Sequence, residues 1–230
     1  TGDSNTAVGK GALNDNTTAS NNTAFGADAL AANTTGSLNV AVGSSALASS
    51  TTGDNNTVIG YGAGDALTEG SNNQAIGRDA LGADTLGSQN IAIGRLALGS
   101  QNFTTATNSY NTAVGASAGY AITTGQYNTL IGGLAGDAQT TASNNTVVGY
   151  QAFSAAATGG DNTAIGYHAL FVNTTGTLNA AVGASVLDAN TTGAANTGVG
   201  YNSLSANTTA NNNTGFGAYT LEDNTTGTAN

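Results

Sequence analysis

The chain repeats itself every seventeen residues, and that period restricts its folding more than any other feature. The pattern Asn-x-x-apolar-Gly begins at Asn5, Asn22, Asn39, Asn56, Asn73, Asn90, Asn111, Asn128, Asn145, Asn162, Asn179, Asn196 and Asn213. The spacing is 17 throughout except between Asn90 and Asn111, where four extra residues fall within the stretch 101–110. A fixed period of this kind is the mark of a repeat architecture in which each copy is one supersecondary unit. With the asparagine as position 1, the consensus is N-T-A-[VI]-G-x-x-A-L-x-x-N-T-T-G-x-N. The position-5 glycine, seen at Gly9, Gly26 and Gly166, is present in every copy.

Seventeen residues are too few for a helix pair and do not fit heptads. Short apolar triplets such as Thr163-Ala164-Ile165, punctuated by Asn-Thr-Thr-Gly, read as strands between turns. The expected fold is therefore all-β, a parallel β-solenoid or β-roll of thirteen 17-residue coils in a single array over residues 1–230. Stacking at strand spacing would give a rod roughly 60 Å long. The position-5 glycine is expected at a corner, where only glycine takes the needed backbone conformation or close approach, and Thr-Thr-Gly forms a second turn.

Stacked coils align like residues in columns. Asn5, Asn22, Asn162 and their equivalents are expected to form a side-chain amide ladder, an arrangement that stabilises stacked β structure. Val8, Ile165 and the other position-4 residues, with Ala at position 8 and Leu170 and its equivalents at position 9, make up a thin core. Positions 4 and 8 share one parity and position 9 the other. Unless the corner resets the alternation, the leucine column faces outward and calls for a partner chain. Where position 9 is glycine, at Gly64, Gly119 and Gly136, the missing side chain is expected to be replaced locally by Leu67, Ile122 or Leu134.

Composition narrows the partners. Thirteen acidic residues against three basic ones give a net charge of −10, which repels nucleic-acid backbones and anionic lipid surfaces. No apolar run is long enough for a membrane-spanning helix. Without cysteine there is no disulfide framework or thiolate ligand. Lys10, Arg78 and Arg95 are the only trypsin sites, and there is no methionine or cysteine to oxidise. Those absences suit an extracellular or cell-surface life. The chain opens and closes within repeats without an atypical cap, as expected of a segment from a longer array.

Strings such as Asn5-Thr-Ala-Val-Gly9, Asn90-Ile-Ala-Ile-Gly94 and Asn162-Thr-Ala-Ile-Gly166 resemble the head repeats of YadA-like trimeric autotransporter adhesins, and similar repeats of phage and virus tail fibres. The resemblance covers the whole chain. It implies a left-handed roll, association into a homotrimer or filament, and attachment to a host or environmental surface from a cell envelope or virion. The family's commoner motif is Asn-Ser-Val-Ala-Ile-Gly on a shorter repeat. Here threonine usually takes the valine place, and Thr-Thr-Gly lengthens the coil.

Candidate sites are sparse. His168, the only histidine, holds position 7, whose occupants vary so widely that it reads as exposed and unconstrained, with Gln151 and Ser185 as column neighbours and no triad. The carboxylates form no continuous column and no paired arrangement of the kind glycoside hydrolysis needs. Asp54 and Asp161 beside asparagines lack the calcium-binding repeat of β-rolls. No catalytic residue, metal or cofactor is expected. Tyr150 and Tyr167 share position 6 on adjacent coils, where two rings either cover the rod or stack on a sugar or a partner, and the insertion stretch with Phe103 and Tyr110 is the better binding candidate, because specificity tends to reside in loops. Eleven Asn-x-Ser/Thr sequons, among them Asn33, Asn173 and Asn207, follow from turn chemistry. The expected role is a non-enzymatic structural or adhesive fibre. The alternative is a regular face that binds glycan or ice, the latter through the Thr-Thr pairs.

Overall fold

The computed structural model describes residues 2–230. Its regular elements are all strands: β1 (Thr6–Val8), β2 (Thr23–Phe25), β3 (Val40–Val42), β4 (Thr57–Ile59), β5 (Gln74–Ile76), β6 (Gly87–Ser88), β7 (Ile91–Ile93), β8 (Thr107–Asn108), β9 (Thr112–Val114), β10 (Thr129–Ile131), β11 (Thr146–Val148), β12 (Thr163–Ile165), β13 (Ala180–Val182), β14 (Thr197–Val199) and β15 (Thr214–Phe216). They fall into two compact units, Thr1–Ala116 and Ser117–Asn230. Each is a parallel β-solenoid with a three-residue strand in every coil, at positions 2 to 4; two coils of the first unit add the short strands β6 and β8. No helix is long and apolar enough to cross a membrane among the described residues.

In the first unit β1, β2, β3, β4, β5, β7 and β9 pair in that order, and β6 pairs separately with β8. In the second unit β10 to β15 pair in chain order. The register matches like with like: Thr163 lies opposite Ala180 and Ile165 opposite Val182. It survives the insertion, since Ile91 still lies opposite Thr112. Identical registers put every repeat position in a column, so the period in the sequence becomes the spacing of the structure.

The inside and outside of the strand differ from expectation. Position 3 points inward: Ala24, Ala41, Ala92 and Ala164 are fully buried, and larger residues fit there at Val58, Leu130 and Val147. Position 4 therefore points out, and Val8, Phe25, Ile59, Ile131 and Ile165 are exposed. The leucine column is the one that is buried: Leu30, Leu47, Leu170 and Leu187 are inaccessible, together with position-8 alanines such as Ala29 and Ala169. Positions 8 and 9 both face the core because the intervening chain is not extended. Glycine at position 5 sits at φ 137 in Gly166, and positions 7 and 9 are left-handed, as at His168 (φ 56) and Leu170 (φ 53). Alternation of side chains holds only along extended residues, and two left-handed residues two apart reset it.

Position 17 is also left-handed, for example Asn21, Asn144 and Leu178. Positions 7, 9 and 17 contain no valine, isoleucine or threonine in any copy, as expected where β-branched side chains would be outliers. At the position-5 corner a side chain is also blocked by the neighbouring coil: a Cβ on Gly132 would lie 2.5 Å from the Gly149 carbonyl oxygen.

The position-1 column is a ladder of a different kind from the amide-to-amide one expected. Asn22 accepts the backbone N–H of Asn39 on its Oδ1 at 2.9 Å, and its Nδ2 donates to the Gly36 carbonyl at 2.8 Å on the far side of the same coil. Asn5 and Asn162 repeat this arrangement. Such an amide pins its own coil across the core and receives the next; Asn90, in the coil that carries the insertion, instead donates back to Asn73 Oδ1 at 3.2 Å. Bonds between side-chain amides supplement it at some steps, as from Asn179 to Asn162 at 3.2 Å. A second amide column runs through position 12, where Asn190 donates to Asn173 and Asn207 to Asn190, both at 2.9 Å.

Two of the three expected replacements for absent leucines occur. Leu67 and Ile122, at position 12, are fully buried. Leu134 is only half-buried. The space at Gly136 is taken by Leu130 and Gln139, which lie 2.9 and 3.0 Å from where its Cβ would stand.

Candidate functional site

Three surfaces follow from this arrangement. The first is the outer face of the strands, where position 2, threonine in nine copies, alternates with position 4, which is valine, isoleucine or phenylalanine throughout. Neither column contains a charged residue, although the chain has sixteen. Parallel pairing at about 4.8 Å sets these side chains in straight rows within each unit. Sequence reading placed this apolar column in the core, and the leucines outside unless the corner reset the alternation; the corner does reset it, so the leucines are buried and this column is the outward one.

The second surface is a corner of the second unit. Tyr150 and Tyr167, paired from their shared position 6, stack with centroids 6.2 Å apart and planes within 7°. The Tyr167 ring in turn stacks on His168 at 3.8 Å, and His168 on Phe171 at 4.3 Å. His168 Nε2 lies 3.1 Å from Gln151 Oε1, its neighbour in the position-7 column. The histidine is therefore neither unconstrained nor alone: its backbone is left-handed, and its ring is the third in a run of four. Asp188, one coil on, has its carboxyl pushed up by burial, with the His168 charge opposing that shift. Reading single columns missed Phe171, because it occupies position 10. The signal was its placement four residues beyond Tyr167, across the same turn. Tyr201 and Tyr219 make a separate edge-on pair at 5.3 Å.

The third is the insertion, whose two aromatic candidates part company. Phe103 is buried at 5% exposure, so it offers no contact surface, while Tyr110 is exposed. The inserted segment closes on a buried polar network. Asp84 accepts the Gly87 and Phe103 backbone N–H groups on Oδ1 and the Gln101 amide on Oδ2 at 2.7 Å; Gln101 Oε1 accepts from Asn111 at 2.9 Å. These side chains restore satisfied polar groups where extra residues interrupt the regular columns.

Other candidates resolve by geometry. Thr34, Thr51, Thr174 and Thr191 donate their hydroxyls to carbonyls of the next coil, so half of each Thr-Thr pair is committed to stacking. The sequon residues Asn33, Asn173 and Asn207 are fully buried. Asp54 accepts the Ser37 backbone N–H at 2.6 Å, and no group of three or more His, Cys, Asp or Glu side chains gathers among the described residues. Burial raises the carboxyl pKa of Asp65 and Asp137 as well as Asp188. These three lie at position 10 of separate coils, so no two form a facing catalytic pair. No family model, curated protein or solved structure matches the chain.

Proposed function

We propose that this chain is a non-enzymatic structural element of an extracellular fibre or shaft that assembles with further copies of itself. The observation that carries this reading is the uncharged outer strand face, on which β-branched side chains recur coil after coil without being needed by the chain's own core. Contiguous exposed apolar surface marks an interaction site. A second copy fits best: its own uncharged face has the same rise per coil, whereas approach of the remaining acidic surfaces is opposed by a net charge of −10 on each chain. The resemblance to trimeric adhesin heads makes three the copy number to test. Scarce trypsin sites and the absence of methionine and cysteine support life outside the cell, on a cell surface or virion, presenting or mediating attachment.

Multi-angle light scattering tests this. The chain should have a multimeric mass, and Ile131→Lys with Val148→Lys, adjacent in one row, should reduce it while preserving the far-UV circular dichroism. A monomeric parent chain overturns the proposal.

A second reading concerns the same face left bare. Alternating rows of threonine hydroxyls and β-branched methyl groups at strand spacing are a regular, uncharged template for ordered water, which favours ice binding here rather than at the Thr-Thr pairs. Thermal hysteresis in a monomeric preparation is its test.

A further inference from the structure

The geometry points to a carbohydrate-binding platform at the corner formed by Tyr150, Tyr167, His168 and Phe171, whose ligand is a neutral polysaccharide of pyranose rings. The fold does not require these rings. Position 6 is alanine at Ala27, Ala116, Ala184 and Ala218, position 7 is serine at Ser45, Ser117 and Ser185, and position 10 is alanine at Ala31 and Ala48. Four aromatic rings nevertheless occupy these replaceable positions within 22 residues, in a chain with 13 Phe and Tyr residues in all. The rings are held in order: three successive stacking contacts and the Gln151 hydrogen bond limit their rotation. Tyr150 and Tyr167 still leave about half of their surface accessible, at 51% each.

The chemistry selects the ligand. The tyrosine surface that the mutual stacking leaves accessible attracts the apolar C–H faces of pyranoses, and tyrosine hydroxyls add hydrogen bonds at the rim. Gln151 and Asp188 bring an amide and a carboxylate to the same corner, groups that bond sugar hydroxyls. A compact small molecule needs a concave pocket, and none is present among the described residues. An extended chain lying across a convex corner needs none. The net charge of −10 repels polyuronates and sulfated polymers, leaving neutral glycans. Preordered side chains also reduce the entropy lost on binding. This platform lies at positions 6, 7 and 10, outside positions 2 and 4.

Affinity electrophoresis tests the proposal, using native gels cast with a soluble β-glucan, a galactomannan or, at equal mass, a polyuronate. At least one neutral polymer should retard the chain and the polyuronate should not. Tyr150→Ala with Tyr167→Ala, and separately His168→Ser, should each weaken retardation about ten-fold or more. Both changes install residues the array already uses at those positions. Tyr61→Ala, which removes an isolated ring from the same column in the first unit, should leave retardation unchanged. Absence of retardation in both neutral gels overturns the proposal, as does equal retardation of parent and double variant. A fall in light-scattering mass in the double variant, with retardation intact, would reassign the rings to contact between copies.

Discussion

Gly132 and Gly133 are adjacent and chemically identical, yet the structure assigns opposite outcomes to replacing them with alanine. Gly132 follows strand β10 at φ 134, a conformation for which a side chain costs about 1–3 kcal/mol. Its added Cβ would stand 2.5 Å from the Gly149 carbonyl oxygen and 2.8 Å from that carbonyl carbon. Those are backbone atoms of the next coil, and they move only by disturbing the bond from Gly149 N–H to the Ile131 carbonyl, now 2.8 Å. Losing that bond adds about 1 kcal/mol, so Gly132→Ala should destabilise by about 2–4 kcal/mol. Gly133 has no left-handed backbone, and its added Cβ meets only the Tyr150 ring edge at 3.5 Å, an ordinary contact. Restricting the unfolded chain at a compatible position stabilises by about 0.4–1 kcal/mol, the expectation for Gly133→Ala. Urea unfolding followed by circular dichroism gives the global difference. Native-state hydrogen exchange at Gly149 and its neighbours in β11 locates it, because repeat arrays lose stability locally. Equal effects from the two alanines, or a neutral Gly132→Ala, would refute both the corner assignment and the steric argument.

Other outcomes follow from the same geometry. Leu187→Ile, volume-conserving but β-branched at φ 52 in the core, should lose about 2–4 kcal/mol on chemical unfolding, whereas Leu187→Met should stay within about 1.5 kcal/mol; equal losses would mean that the left-handed backbone is not the cause. Asn179→Ala removes the acceptor of the Asn196 backbone N–H and should cost about 1–3 kcal/mol, with faster exchange at the Asn196 amide than at Asn162. The carboxyls of Asp65, Asp137 and Asp188 are raised above the ordinary 3.8 by burial. The folded state therefore holds protons the unfolded chain has released, a stabilisation fully present below 3.8 and lost as pH rises through the folded values. Melting temperature should thus rise on mild acidification, and Asp137→Asn should reduce that rise; a pH response identical to the parent's would remove Asp137 from the account.

Much of this architecture is visible in residue identity alone. Asn162, Gly166 and Leu170 recur because each meets its own equivalent in the adjacent coil, so period, parallel register and the position-1 column follow from the text of the repeat. Which side each column faces was harder to read. Counting alternation from Ile165 through Gly166 to Leu170 assumes an extended chain, and the left-handed residues His168 and Leu170 break that assumption. The warning lay in an absence: β-branched residues predominate at positions 2 and 4 but never enter 7, 9 or 17. His168 was misread for a related reason. Variability among side chains in its column signalled freedom, whereas the backbone is fixed and only the identity of the residue is free. Its contacts with Tyr167 and Phe171 span positions 6, 7 and 10, which become neighbours only when the corner's shape is known.

The position-1 asparagines give the stack a direction. Within each unit the position-1 Oδ1 accepts the N–H of the coil that follows, as Asn22 does for Asn39 and Asn162 for Asn179, so a coil joins its neighbours in one orientation and an inverted copy would set acceptor against acceptor. The same rule makes contour length adjustable in whole coils. Removing residues 162–178 would bring the Asn179 N–H to Asn145 Oδ1, which holds the Asn162 N–H, and the join would obey the grammar of every other. Duplication or loss of 17 residues is therefore a near-neutral edit within a unit, whereas a single-residue slip misaligns every column beyond it. A protein built this way can change its number of coils over generations without redesigning its interior.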